Sequence, residues 1–273
     1  MKQLYITLLL FLSFQYSQAQ MSASEDSLKT IQSTILQQEN DSLKKILNEK
    51  FIAALMRALA NPSSINYPFD SLKTISILTP SDKSFRIYNW EISFSDASIA
   101  YFGLIQSMNK KKNAITLTLL SDQSPSIKKP ENTALDAKNW YGAHYYKLIE
   151  TKLKKKKYYT LLGANWSSIL LRKKIIDVIS IGNDGKPKFG EAIFKNDKII
   201  SKRIVFQYAE EVSMSLRYDT NKDMILFDHL SPRSPELKGQ YEFYAPDLSV
   251  DGYQWKKGKW NYVNDVDARN MGR

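Results

Sequence analysis

The sequence predicts a mainly β protein, α+β overall: an antiparallel meander forming a curved sheet, sandwich or partial barrel, preceded by a helical N-terminal segment. Three observations carry this. Apolar residues recur every four positions from Leu43 to Leu59, then at every second position from about Lys73. Aromatic residues make up 12% of the chain, and 16 are Tyr, which favours strands. Turn-forming clusters rich in Asn, Asp, Gly and Lys then follow at short spacing.

The N-terminal residues have a separate logic. Lys2 is followed by an apolar run from Leu4 to Phe14, then polar Gln15 to Gln18. With small residues at Ser17 and Ala19, residues 1–19 read as a secretory signal peptide cleaved after Ala19. The run falls short of the roughly 20 apolar residues that a bilayer core requires, so no transmembrane segment is expected after cleavage. The expected address is outside the cytoplasm, periplasmic or extracellular. The chain has no Cys. That excludes a disulfide framework and a lipid-modified cysteine after the signal, and leaves stability to an ordinary core.

Residues 20–62 form the expected helical segment. Ser22 and Glu25 have capping-box spacing, which predicts a helix opening near Ala23 with Leu28, Ile31 and Ile35 as its stripe. After polar Gln37 to Ser42, Asp41 or Ser42 is the expected cap of a second helix. Its face is Leu43, Leu47, Phe51, Leu55 and Leu59, widened by Ile46, Ile52 and Met56. Asn61-Pro62 ends it. The face needs a cover, either the β body or a second copy.

Residues 63–273 form the expected antiparallel β-rich domain. Phe85 and Ile87 sit on odd positions and Trp90, Ile92 and Phe94 on even ones, which predicts a β-bulge at Tyr88-Asn89. Ile99–Met108 with Ala114–Leu120, and Trp140–Glu150 with Tyr158–Leu162, read as hairpins. Ile175–Ile181 reads as a buried strand closed by a turn at Asn183 to Pro187. Ile204 to Tyr208, Val212 to Tyr218 and Met224 to Leu230 read as a meander with one buried face. A last hairpin joins Tyr253-Gln254-Trp255 to Trp260-Asn261-Tyr262. About ten strands are expected, without the internal repeat of a propeller.

Most catalytic designs are missing from the sequence. Its two histidines, His144 and His229, lack the spacing of a zinc site, so neither metal nor cofactor is expected. His229 follows Asp228, but neighbours in a strand point to opposite faces. Asp219, Asn221 and Asp223 begin like a calcium loop, and then Met224 and Leu230 break the pattern. There is no G-x-S-x-G elbow and no Gly-rich phosphate loop. Paired carboxylates remain: Asp247 with Asp251, Asp265 with Asp267, and Asp228.

The lysines stand out more. The formal net charge is +11. Residues 20–62 are balanced, so the β-rich domain carries nearly all of it. Lys110, Lys111 and Lys112 fall at one predicted hairpin turn. Lys152 with Lys154, Lys155, Lys156 and Lys157 falls at a second, and Lys256, Lys257 and Lys259 at a third. If the turns share one end of the sheet they make a basic rim, beside which Trp255, Trp260, Tyr158 and Tyr159 could stack on a ligand.

Several stretches also carry a resemblance. Tyr158-Tyr159-Thr160-Leu161-Leu162-Gly163, Lys174-Ile175-Ile176-Asp177-Val178, Phe227-Asp228-His229-Leu230, Gly239-Gln240-Tyr241-Glu242-Phe243-Tyr244 and Asp251-Gly252-Tyr253 are similar to an uncharacterised family of secreted proteins of Bacteroidota. The resemblance spans about residues 60–270. It implies an exported protein of that lineage and lends no catalytic residue.

The expected function is therefore a non-enzymatic envelope protein. It would bind a partner protein or an anionic glycan or lipid surface through the Lys-rich, aromatic-flanked edge, and nucleic acid is not the expected partner. The alternative is a hydrolase of a glycan or cell-wall polymer that uses Asp247, Asp251 or Asp228.

Overall fold

The computed structural model describes residues 2–267, with side chains from residue 18 onward. The chain divides into two compact units. One runs up to Ile75 and includes Phe94–Asp96; the other joins Ser76–Ser93 to the chain from Ala97 onward.

The first unit is a helical hairpin. α1 (Lys2–Gln37) runs without interruption through Ser22 and Glu25, so these two residues are not a cap. The reason is local: no Gly or Pro occurs between Leu4 and Gln37 to end a helix once begun. Glu25 is buried and accepts hydrogen bonds from the Tyr67 hydroxyl and the Ser71 amide, each at 2.6 Å. It thereby ties the segment after the hairpin back to α1. Burial, then the Glu25 carboxylate, pushes the Tyr67 hydroxyl up to about 12. α2 (Asp41–Ala60) is capped by Asn40, whose side chain accepts from the Leu43 amide, so Asn40 takes the role expected of Asp41 or Ser42. Asp41 instead accepts from the Ser95 amide and hydroxyl. Phe51, Leu55 and Leu59 are buried as their spacing predicts, while Leu43 and Ile46 are exposed. Among the described residues, no helix is long and apolar enough to cross a membrane.

Among the described residues the second unit contains sixteen strands: β1 (Ser76–Leu78), β2 (Phe85–Ser93), β3 (Ile99–Asn109), β4 (Ala114–Leu120), β5 (Leu135–Asp136), β6 (His144–Leu153), β7 (Lys156–Asn165), β8 (Leu171–Ile181), β9 (Pro187–Phe189), β10 (Phe194–Asn196), β11 (Ile199–Ser201), β12 (Ile204–Ala209), β13 (Leu216–Asp219), β14 (Met224–Pro232), β15 (Tyr244–Lys256) and β16 (Lys259–Val263). They form three sheets, and none closes into a barrel. The first is β1-β2-β3-β4. The middle sheet is β5-β9-β8-β7-β6, with β12 also on β8. The last is β11-β10-β16-β15-β14-β13.

Alternation on β7 and β8 explains the layering. Leu161, Ile175 and Ile179 pack with Phe85, Ile87, Tyr101 and Ile105 of the first sheet. Their sequence neighbours Leu162, Ile176 and Val178 pack with Phe194, Leu216, Phe227 and Trp260 of the last. Adjacent strand residues face opposite ways, so the middle sheet is covered on both sides and its central strands read as continuous apolar runs.

Two expectations are corrected here. β2 has no bulge at Tyr88-Asn89, and its register with β3 is regular from Phe85 to Ser93. The change of parity arises because both faces of β2 are buried: Phe85 and Ile87 on one, Tyr88, Trp90 and Ile92 on the other. The meander through β12 and β13 is also broken. β12 pairs with β8, and residues 212–215 are not strand. The cause lies at Arg203, just before β12. Its guanidinium meets Asp177 of β8 at 2.7 Å, with both side chains at 0% exposure. A buried cation must sit beside its partner, so β12 is drawn to β8. Tyr145 also donates to Asp177, and Arg203 donates to the Pro130 carbonyl.

Candidate functional site

The three Lys-rich segments fall at hairpin turns. Lys110, Lys111 and Lys112 are the exposed tip between β3 and β4, where the Asn109 side chain accepts from the Lys111 and Lys112 amides. Lys154 and Lys155 turn β6 into β7. Lys257 and Gly258 turn β15 into β16.

The second and third tips touch. The Trp255 indole donates to the Lys152 carbonyl at 3.2 Å, and the Trp255 ring lies 5.1 Å from that of Tyr158. Gly258 has φ +78, a conformation that strains any other residue, and a Cβ there would press on the Leu153 side chain where the two turns meet. The first tip lies at the same end of the unit. Ser107, near the end of β3, pairs with Phe85 at the start of β2, and Asp82 just before it accepts from Lys157 at 2.7 Å and Tyr159 at 2.6 Å.

The expected residues then separate by role. Lys157 is committed to Asp82. Against the opposing effect of burial, hydrogen bonds from Lys157, Tyr159 and Ser84 hold the Asp82 carboxyl well below the usual carboxylate range. Lys156 pairs with Glu191, which raises its ammonium, and lies over the Tyr158 ring. Lys152, Lys154, Lys155, Lys256, Lys257 and Lys259 have no ion-pair partner among the described residues. Trp255 is half-buried between the two turns. Trp260 is different: it is at 0% exposure and donates to Thr160 at 2.9 Å inside the core, so it has no face for a ligand. Nothing local distinguishes the two tryptophans in sequence. Burial of Trp260 depends on β10, which runs parallel to β16 with Phe194 beside it.

The histidines and carboxylates also find places. His144 lies 2.5 Å from Glu91. His229 sits where β14 and β15 lose register between Asp228 and Leu230. Its Nδ1 meets Asp251 at 2.6 Å, and its Nε2 lies 4.0 Å from Asp247. Asp251 is buried and also accepts from the Tyr262 hydroxyl and the Asp265 amide. The hydrogen bond to Asp251 raises the His229 imidazole above its ordinary value. Burial opposes the effect at Asp247, but Ser249 and Ser231 hydrogen bonds hold that carboxyl below its usual range. Between them, Leu248 is 97% exposed at φ +76. A single imidazole therefore fills the space between the two carboxyls, which does not suit the glycosidase requirement for an open gap across a scissile bond. Asp228 is turned elsewhere, accepting from the Ser215 amide. Asp219 caps its own turn by accepting from the Asn221 and Lys222 amides, and Asp223 accepts from Tyr218. Among the described residues, no group of three or more acidic, His or Cys side chains is placed to hold a metal ion.

Adjacent Asp228 is not the partner of His229, as strand alternation predicts; the partner is Asp251, 22 residues away, which no local signal names. The available signal was the parity of the β14–β15 hairpin, which sets these two strands side by side. Comparison with protein-family models, with curated proteins and with solved structures finds no match.

Proposed function

We propose that this is an exported, non-enzymatic envelope protein that binds an anionic glycan or lipid surface through its Lys-rich hairpin end. The observation that carries the reading is the contact between the β6–β7 and β15–β16 turns, which gathers six ammonium groups without ion-pair partners around half-buried Trp255. Unpaired lysines on fixed turns sum their fields, and each contributes about 1 kcal/mol beside an anionic bilayer at low salt. Trp255 adds an aromatic edge able to pack on a sugar ring or at a headgroup. The signal-like residues 1–19 support the exported address.

Co-sedimentation with vesicles tests the reading. Phosphatidylglycerol vesicles should retain the protein, phosphatidylcholine vesicles should not, and binding should fall steeply with salt. Replacing Lys152, Lys154, Lys155, Lys256, Lys257 and Lys259 by Ala should abolish retention. Beads carrying an acidic polysaccharide form the second arm and distinguish glycan from lipid. Equal binding by the six-fold variant on both supports would sink the reading.

A further inference from the structure

A groove of about 810 Å³ opens in the second unit, apart from the six free lysines of the hairpin end. Its walls come from the loop before β5, from β8, and from β9 with the residues that follow it. Ser180, Lys188 and Asp136 lie side by side across β8, β9 and β5. The groove is lined by Ile127 and Leu135 as apolar surface, by Asn139 and Ser180 as neutral polar groups, and by Lys128 and Lys188. Its two acids are both hydrogen-bonded, Glu191 to an ammonium and Asp136 to neutral donors that leave its charge in place. Asp136 accepts from the Lys138 and Asn139 amides and from the Asn139 side chain. Glu191 is paired with Lys156. Among the described residues Lys128 and Lys188 have no ion-pair partner, so the groove presents two uncommitted cations.

Behind the wall lies a buried donor group. Arg203 is fully buried, and its Nη2 has no hydrogen-bond partner. A buried donor without an acceptor is costly, and native proteins keep few of them. Nη2 lies 3.3 Å from where a Cβ on Gly190 would stand, and Gly190 lines the groove. Asp177 balances the charge of Arg203, and both N–H groups of Nη2 remain unused at that wall. The same guanidinium holds the groove loop through the Pro130 carbonyl. That loop contains Lys129 at φ 52, directly before a proline, where the backbone resists such a conformation. Strain kept at the edge of a cavity by a buried latch points to a shaped site.

We infer that this groove binds a sugar carrying one anionic group, a uronate or a sugar phosphate, with the anion on Lys128 and Lys188. The sugar ring lies on Ile127 and Leu135, and its hydroxyls meet Asn139 and Ser180. Lys156, the first residue of β7, lines the groove where it pairs with Glu191, so the site borders the hairpin end but uses none of its six unpaired lysines.

Saturation-transfer NMR on the full chain, titrated with glucuronate, glucose 6-phosphate and glucose, tests it. At least one anionic sugar should bind and glucose should not. Binding of glucuronate alone assigns a carboxylate ligand, and binding of glucose 6-phosphate alone assigns a phosphate. The variant Lys128→Ala/Lys188→Ala should weaken binding at least about tenfold, as expected for lost charge-assisted hydrogen bonds. Ser180→Trp should block the groove. Lys128, Lys188 and Ser180 are exposed, so both variants should keep the wild-type circular dichroism. The six-lysine variant of the hairpin end should bind these sugars unchanged. Absence of binding by both anionic sugars, equal binding of glucose, or wild-type affinity in Lys128→Ala/Lys188→Ala would overturn the assignment. Loss of sugar binding only in the six-lysine variant would place the anion at the rim and overturn it as well.

Discussion

Arg203 and the lysines of the β6–β7 and β15–β16 turns all carry positive charge, handled in opposite ways. Arg203 is dry, lies 2.7 Å from Asp177 and ties a carbonyl of the loop before β5. The turn lysines are exposed except half-buried Lys259, and the six uncommitted ones meet no anion among the described residues. The interior cation is neutralised where it stands, so it sets shape: which strand β8 receives, and where a loop lies. The turn lysines set no shape and keep their field for something outside. In this chain, burial rather than residue type separates charge committed to the fold from charge left facing solvent.

The comparison can be broken most forcefully from the inside. Asp177→Ala leaves Arg203 as an uncompensated buried charge and should cost about 3–5 kcal/mol, read from denaturant unfolding. Replacing both partners by apolar residues of similar volume should restore much of that loss. Failure of Asp177→Ala to destabilise would mean that Arg203 finds water or another anion in the native state. Next in size is Trp260→Phe, which keeps an aromatic ring but leaves the Thr160 hydroxyl unpaired in the core. It should cost about 1–3 kcal/mol in the same assay, and Trp255→Phe much less.

His229 lies between the two extremes, half-exposed but held by a buried carboxylate. Asp251 raises its imidazole above the ordinary value of 6.5. A group whose folded value is raised adds stability that is complete below the unfolded value and disappears as pH rises through the folded one. The His229–Asp251 contribution should therefore be present below about pH 6.5 and fade above it. With the imidazole more than a third exposed, solvent screening keeps it under about 1 kcal/mol. NMR titration should show His229 protonating at higher pH in the wild type than in Asp251→Asn. The smallest stability effect should come from the six turn lysines. Each change to Ala should shift stability by no more than about 0.5 kcal/mol while surface binding is lost.

Much of the architecture was legible where the signal is local. Asn61-Pro62 ends α2, and the turns at Asn109 to Asn113, Asn183 to Pro187 and Lys256 to Lys259 separate strands that alternate clearly. The Lys-rich turns could be read because composition and turn chemistry coincide. Other features depend on residues distant in sequence. β12 leaves the meander because Arg203 follows Asp177 by 26 residues. β2 imitated a bulge because a strand buried on both faces has no polar side to mark its phase. β1, β5, β9, β10 and β11 have only two or three residues each, too few for any period. The candidate groove draws on residues from 126 to 191, and no motif links them.

The pairing of β10 with β16 has a consequence for how the chain reaches this state. Phe194 aligns with Trp260, so strands 66 positions apart must meet to complete the last sheet. The β10–β11 pairing is local and can form first, with an open edge that waits for β16. Contacts of such long range are slow to form, and an unpaired edge is a template for other chains. A chain stopped before Lys259 would remain in that waiting state, with Phe194 uncovered. The last five strand residues thus act as a completion signal for the whole β unit, and aggregation of chains shortened before Lys259 would be its visible sign.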